Sequence, residues 1–371
     1  MSALTPLERS LLALVAVLTA LAGLADYGQW AVVPRFVLAT LALAGLAWIV
    51  SFATEQLGEH FGPGVTGLMQ STLGNLPELF VVIFALQKGE LVVAQTAIVG
   101  SVFANALLVL GLVIIVGARR SPDGLMRFSK RLPRDTATLL QVAAFIIVLL
   151  GLSLAAQDPA SHHVDEISII GAISLLVVYL AWVVPYVRSD VVPGTGYAVE
   201  QARETTPEVL AEEPGPAGPR LPLAFTLTLL AVTATASAFV SEWFINALAP
   251  AIKQLNISQA FAGLVIVAIA GNAVEHTAGL VLAWKGRSDL AISVVKNSVA
   301  QIAAFLFPLL VLVSFALATT LTFALAPVYI GAFLLTALAV AQVTGDGEAA
   351  EFEGWSLVAI YVILAAVALY E

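Results

Sequence analysis

Gly74-Asn75-Leu76-Pro77-Glu78 and Gly271-Asn272-Ala273-Val274-Glu275 are two copies of one pattern, 197 residues apart, each deep in an apolar stretch. Both set a carboxylate three residues after an asparagine, at a depth where hydrocarbon is expected. On insertion scales a charge there costs about 3 kcal/mol. Its appearance twice, in equivalent places of one chain, points to a cation site at the interface of an internal repeat.

The surrounding composition supports that depth. Of 371 residues, 60% are hydrophobic and 11% charged, against about 25% charged in a soluble domain. Backbone groups in lipid are satisfied only by helices or a closed barrel. The apolar runs are continuous rather than alternating, so helices are expected. Eleven such segments run roughly over 10–26, 32–52, 62–87, 92–118, 136–156, 166–187, 220–245, 258–284, 290–316, 320–343 and 354–370. The fold class is therefore an all-α integral membrane protein of about eleven spans. The first segment ends Gly23-Leu24-Ala25 before Asp26, a pattern compatible with signal cleavage. Glu8 and Arg9 make a weak signal head, so a retained helix is expected.

Aligning residue i with residue i+197 places Gly74, Asn75, Glu78, Lys88, Gly89, Ala94, Ser101 and Val102 on identical residues. The matches are mostly polar or small, not the interchangeable aliphatics that chance likeness of apolar helices would favour, so the repeat marks two structural halves. The expected organisation is an extra N-terminal helix over 1–28, a first five-helix repeat over 29–187, a linker over 188–219 and a second five-helix repeat over 220–371. An odd number of spans per repeat inverts the second relative to the first. Glu78 and Glu275 would then approach each other from opposite sides of the midplane.

Charge sets orientation. Arg119, Arg120, Arg127, Lys130, Arg131 and Arg134 crowd one short connector, which the positive-inside rule assigns to the cytoplasm. The N-terminus then lies inside and the C-terminus outside, and Lys88 is a minor exception. The linker carries Asp190, Glu200, Glu204, Glu208, Glu212 and Glu213 with five prolines, and reads either as a solvated tether or as a cation-sensing segment. The net charge is −9, and no basic patch supports nucleic-acid binding. The chain has no cysteine, so thiolate metal sites are excluded while oxygen-seeking cations lose nothing.

The paired motifs supply oxygen. Pro77 has no N–H, so the carbonyl of Leu73 loses its helical partner; Gly74 and Gly271 loosen the same turns. Freed carbonyls, the Asn75 and Asn272 amides and the Glu78 and Glu275 carboxylates form a shell suited to Ca²⁺. Ser101 and Ser298 recur at the repeat offset, with Asn105 and Gln301 about a turn beyond. These four are candidate ligands or, equally, interhelical hydrogen bonders. His276 is a proton relay or a hydrogen bonder. Glu55, with Glu59 and His60, is a solvated helix cap or a cation-attracting vestibule; Glu242 corresponds to it in the second half. Two facing carboxylates in low dielectric resist joint ionisation and titrate as a pair. Such a site holds protons or one divalent ion, and alternating access turns that choice into antiport.

These residues resemble the calcium/proton antiporters of the CAX type, within the cation/calcium exchanger superfamily. The resemblance covers most of residues 50–370 outside the linker. It rests on Gly67-Leu68-Met69, Gly74-Asn75-Leu76-Pro77-Glu78-Leu79, Gly100-Ser101 and Asn105, then on Phe261-Ala262-Gly263-Leu264, Gly271-Asn272-Ala273-Val274-Glu275-His276, Ser298 and Gln301-Ile302. It implies Glu78 and Glu275 as shared ligands of calcium and protons, and two inverted repeats of five helices after a first helix. The ions are cargo and no cofactor is expected. The partners expected are the bilayer, in the plasma membrane of a prokaryote, and the two ions; a homo-oligomer is left open. Lys296-Asn297 stands where the family usually has glycine before the serine, Ala268 where a proline is common, and Gln70 where an asparagine is usual. Lys296 would weaken divalent binding or compensate one carboxylate if it faced the site, and do neither if it faced the protein. A sodium-coupled or manganese-preferring exchanger is the nearest alternative. A hydrolase lacks any His-Glu-x-x-His, Gly-x-Ser-x-Gly or Gly-x-Gly-Asp motif, since Val343 interrupts the last.

Overall fold

A computed structural model describes residues 4–58, 60, 73–191 and 220–371. Most of the acidic linker, Glu59, Gln70 and the first part of segment 62–87 fall outside these residues. Every expected span is met by helix: α1 Pro6–Tyr27, α2 Val32–Gly58, α3 Leu76–Gln87, α4 Leu91–Phe103 continuing into α5 Leu110–Arg120, α6 Arg131–Ala156 and α7 Val164–Val191. There follow α8 Leu223–Leu255, α9 Gln259–Gly271, α10 Ala273–Trp284, α11 Ser288–Gln301 with α12 Phe307–Ser314, α13 Pro327–Thr344 and α14 Glu351–Leu369. The starts have local causes. Thr5 and Glu8 form a capping box ahead of α1, and Pro6 and Pro327 sit in first turns, where a missing N–H costs nothing. Phe145, Leu149 and Leu152 on α6 form an exposed apolar stripe, as do Ile170, Ile173 and Val177 on α7. Such stripes belong against lipid rather than water.

The structure corrects the expected segments in four places. The seventh extends to Leu255, and its helix passes through Pro250. The eighth is broken at Asn272, where α9 and α10 meet at 60°. The tenth starts only at Pro327: the apolar stretch 315–326 is irregular, and the Ser314 hydroxyl accepts the Leu321 amide at 2.8 Å to hold it. Two connectors expected as loops form a short antiparallel ribbon, β1 Leu125–Arg127 with β2 Glu348–Ala350, in register Met126 to Ala349. In the first of these connectors, the Arg127 guanidinium hydrogen-bonds Asp123 and holds its carboxyl below the usual range.

Contacts divide the chain into two compact units, Met1–Pro77 with Leu180–Ala247, and Glu78–Tyr179 with Leu248–Glu371. Each unit draws on both repeats. In the first, α1 packs along α2, with Gly45 under Val15, and Phe36 meets Phe244 with ring centroids 5.3 Å apart. Val50, Ala53, Leu57 and Leu230 form a buried cluster there.

In the second unit, two helices related by the repeat offset finish at opposite ends. At one end, β1 pairs with β2, the Ser129 amide donates to Asp289 at 2.6 Å, Arg119 pairs with Glu351, and Arg120 lies over the Trp284 ring. At the other end, Gln259 donates to Glu90 at 2.8 Å, Ser258 to the Ala368 carbonyl, and Gln95 to the Ala324 carbonyl at 3.0 Å. Helix α3 finishes beside Glu90 and α10 finishes beneath Arg120. These helices are related by the 197-residue offset at both their first and last residues. They therefore run in opposite directions. Each has 12 residues, about 18 Å, so both begin near the middle of a hydrocarbon layer about 30 Å thick. The offset also carries a wide π turn: Ala104–Val109 between α4 and α5 matches Ile302–Leu306 between α11 and α12.

Glycines let helices of this unit touch. A Cβ on Gly100 would lie 2.5 Å from the Leu264 Cα, and one on Gly263 2.1 Å from the Thr96 Oγ1, so α4 and α9 cross backbone to backbone. Gly100→Ala is expected to cost about 2–3 kcal/mol through overpacking. Gly331→Ala, where no atom lies within 4 Å of the new Cβ, is expected to be neutral or slightly stabilising. Thermal melts of the two purified variants in detergent check the contrast.

Candidate functional site

Both glutamates occupy the third position of their helices. Chain breaks set them there: a turn at Gly74–Asn75 precedes α3, and Asn272, at φ −102° and ψ 18°, separates α9 from α10. The N–H groups of a first helical turn lack intrahelical partners, and the aligned peptide dipoles favour a negative charge there. The sequence thus places each carboxylate where the backbone tolerates its charge best.

The structure brings Glu78 to the second motif. A Cβ on Gly271 would lie 2.7 Å from the Glu78 Oε1 and 2.8 Å from its Cδ. Only a glycine admits the carboxylate against that backbone. Glu275 follows four residues later, past the break at Asn272. Glu78 is 5% exposed and Glu275 half-buried. The Glu78 Oε2, the Asn105 Oδ1 and the His276 Nε2 are buried atoms with no hydrogen-bond partner. An unsatisfied buried acceptor costs about 1–3 kcal/mol, and two such oxygens in one neighbourhood are chemistry that suits a cation.

Asn272 binds the neighbourhood together. It is fully buried. Its Nδ2 donates to the Ser101 Oγ at 3.0 Å and the Ala268 carbonyl at 2.9 Å. Its Oδ1 accepts from the Asn105 Nδ2 at 2.9 Å and, more weakly, from the Ser298 Oγ at 3.5 Å. One amide so joins α4, the following π turn, the α9–α10 break and α11. All four of its bonding positions are filled by protein, so in this conformation Asn272 acts as a clamp. The Asn105 Nδ2 also donates to the Ser101 carbonyl at 3.0 Å, one of the backbone groups at the entry to the wide turn.

The remaining candidates are placed as follows. Gly74 and Asn75 are buried in the first unit, where Glu55 is exposed and Glu242 half-buried. The His60 ring nitrogen meets the Leu221 carbonyl at 2.9 Å. Gln301 ends α11, half-buried, and His276 lies half-buried in the first turn of α10. Lys296 turns from the motif: its Nζ donates to the Thr344 Oγ1 at 3.0 Å on α13. Among the described residues no group of three or more His, Cys, Asp or Glu side chains could hold a metal. Sequence reasoning missed the notch of Gly100 and Gly263; Thr96 and Gly100, four residues apart on one helix face, were its available signal.

A family model described as "Sodium/calcium exchanger protein" matches residues 32–186 and 225–370. The chain is 30% identical over 356 residues to a "Vacuolar calcium ion transporter" of Schizosaccharomyces pombe, covering 92% of this chain and 80% of that one. It is 29% identical over 337 residues to the "Ca(2+)/H(+) antiporter ChaA" of Bacillus subtilis, covering 91% and 92%. Among solved structures, native YfkE matches with a TM-score of 0.78 at 26% identity, covering 97% of this chain and 100% of that one. The H+/Ca2+ exchanger CAX matches with a TM-score of 0.71 at 15% identity, over 98% and 92%; that likeness speaks for the fold alone.

Proposed function

The chain belongs to the sodium/calcium exchanger family, and from that premise we propose that it exchanges cytoplasmic Ca²⁺ for protons at a site shared by Glu78 and Glu275, by alternating access. Membership makes it a membrane cation transporter. The observation that carries the finer reading is the seating of the Glu78 carboxylate, one oxygen unpartnered, against Gly271 of the second motif. Two carboxylates and neutral oxygens match the donor set of a hard divalent ion, which takes six to eight oxygens. Protons are the other means of neutralising a desolvated acidic pair. A site that takes one or the other, opened to each side in turn, drives one uphill with the other.

In this reading the Asn105 Oδ1 is a ligand, and Ser101, Ser298, Gln301 and the backbone near Gly271 complete or support the shell. His276, next to Glu275 with its Nε2 unused, carries protons; Glu55 and Glu242 draw cations. The connectors rich in arginine face the cytoplasm of a prokaryotic cell, placing the N-terminus inside. Relatives named Ca(2+)/H(+) antiporters support the proton partner.

Reconstitution in liposomes with an imposed pH step tests this. Uphill ⁴⁵Ca²⁺ accumulation driven by the pH gradient alone is expected, with Mn²⁺ a weaker substrate and no acceleration by a Na⁺ gradient. One pH unit, at two protons per ion, supports roughly a hundredfold gradient. Accumulation that requires Na⁺ would replace protons as the coupling ion, and downhill flux alone would make the protein a channel.

A further inference from the structure

Helix α10 leaves one face uncovered. Thr277, Val281 and Trp284, four and three residues apart, are all exposed, Val281 at 45% and Trp284 at 65%. The Thr277 hydroxyl donates to the Ala273 carbonyl of its own helix at 2.7 Å, so the face presents no unsatisfied group to lipid. Where this face ends, the guanidinium of Arg120, the last residue of α5, lies 5.3 Å from the Trp284 ring centroid. Indole rings favour the depth of lipid headgroups, and the cation is drawn to the ring face. Exposed Lys285 follows before the chain turns away at Gly286, at φ +76°. The neighbouring Arg119 offers a comparison within the same molecule. It lies 5.9 Å from the Trp355 ring centroid, but its Nη2 is 2.6 Å from the Glu351 Oε1, which also accepts the Trp355 Nε1 at 3.0 Å. The charge of Arg119 is thus answered within the protein. Among the described residues neither Arg120 nor Lys285 has an ion pair or a side-chain hydrogen bond.

A positioned cation with no protein partner, at the end of an apolar face, matches a molecule with a fatty chain and an anionic head. We propose that Arg120, Trp284 and Lys285 form a binding site for an anionic phospholipid. The phosphate is taken by the Arg120 guanidinium, whose donors pair two at a time with phosphate oxygens, and by the Lys285 ammonium. One acyl chain lies along Val281 and Trp284. A choline headgroup carries its own cation, which the two basic side chains repel, so the site discriminates by net headgroup charge. Each basic group near a membrane surface strengthens attraction to anionic lipid about fivefold.

Tryptophan quenching by brominated lipid tests it, because bromine quenches on contact and Trp284 is part of the site. The full-length protein is reconstituted in phosphatidylcholine bilayers that contain either brominated phosphatidylglycerol or brominated phosphatidylcholine. The parent should prefer the anionic lipid at least about fivefold. Trp284→Phe should abolish the excess quenching, which locates it among the six tryptophans of the chain. Arg120→Gln should lower the preference about fivefold, and Lys285→Gln, an independent variant should the first not fold, by a similar factor. Arg119→Gln should leave it within about twofold of the parent, since Glu351 already answers that charge. Equal quenching by the two lipids in the parent overturns the proposal, as does an excess that survives Trp284→Phe. Equal losses in Arg119→Gln and Arg120→Gln overturn it too, because a diffuse attraction counts charges without regard to place. The preference should withstand excess inorganic phosphate; if that anion abolishes it, the site takes free phosphate and the lipid assignment fails.

Discussion

Glu78→Gln and Glu275→Gln are each expected to abolish exchange while leaving the protein folded. Glutamine keeps the volume and the hydrogen-bonding shape of the side chain, so Gly271 can still receive it. What is lost is half the charge that holds a divalent ion. Removing one partner from a buried charged arrangement costs about 3–5 kcal/mol, which lowers affinity at least about a hundredfold. The same change removes one group able to carry a proton, so both arms of the cycle fail together. Thermal midpoints should stay near the parent's or rise, because a desolvated carboxylate is itself destabilising. The measurement is pH-driven ⁴⁵Ca²⁺ uptake beside a melting curve for each variant. Normal uptake in either one would end the shared-site reading.

Asn272→Ala is expected to have the next largest effect, and on stability as well as transport. The substitution deletes one amide and releases Ser101, Asn105, Ser298 and the Ala268 carbonyl at once. Each buried group left unpaired costs about 1–3 kcal/mol. Some regain partners, as Asn105 keeps its bond to the Ser101 carbonyl, so a loss of about 3 kcal/mol in total is expected. Transport should fall at least about a hundredfold, because the α9–α10 break would no longer be held to α4 and α11. Ser298→Ala provides the contrast: its bond to Asn272 is 3.5 Å long, and its loss should cost under about 1 kcal/mol. If Asn272→Ala transports within threefold of the parent, the amide is no clamp.

Much of this was legible in the chain. The 197-residue offset, read from a few polar and small residues, recurs in the bounds of α3 with α10 and in the paired π turns. Polar residues in an apolar segment are informative because each needs a partner, and partners constrain geometry. The apolar residues carried less. Residues 315–326 are as hydrophobic as a span but not helical, since Thr319, Thr320 and Thr322 disfavour a helix and the Ser314 hydroxyl offers the backbone another partner. The seventh segment was expected to end at 245, before Pro250, but its helix runs on through that proline to Leu255. The 60° bend was half visible: glycine and asparagine marked a weak turn, but the partners of Asn272 on α4 and α11 lie far away in the chain. Lys296 could not be oriented from the sequence, because its choice between two helix faces depended on Thr344, 48 residues away.

Helices α3 and α10 both begin at the acidic neighbourhood and run away from it in opposite directions. Each first turn presents roughly half a positive charge from its aligned peptide groups. Together these offset about one of the two negative charges on the carboxylates, and the offset is permanent, since backbone dipoles cannot titrate or diffuse away. A trap with its full charge would catch ions and keep them. In the exchange proposed above, the opposed helices would favour turnover over retention through chain direction alone, which no single substitution can remove.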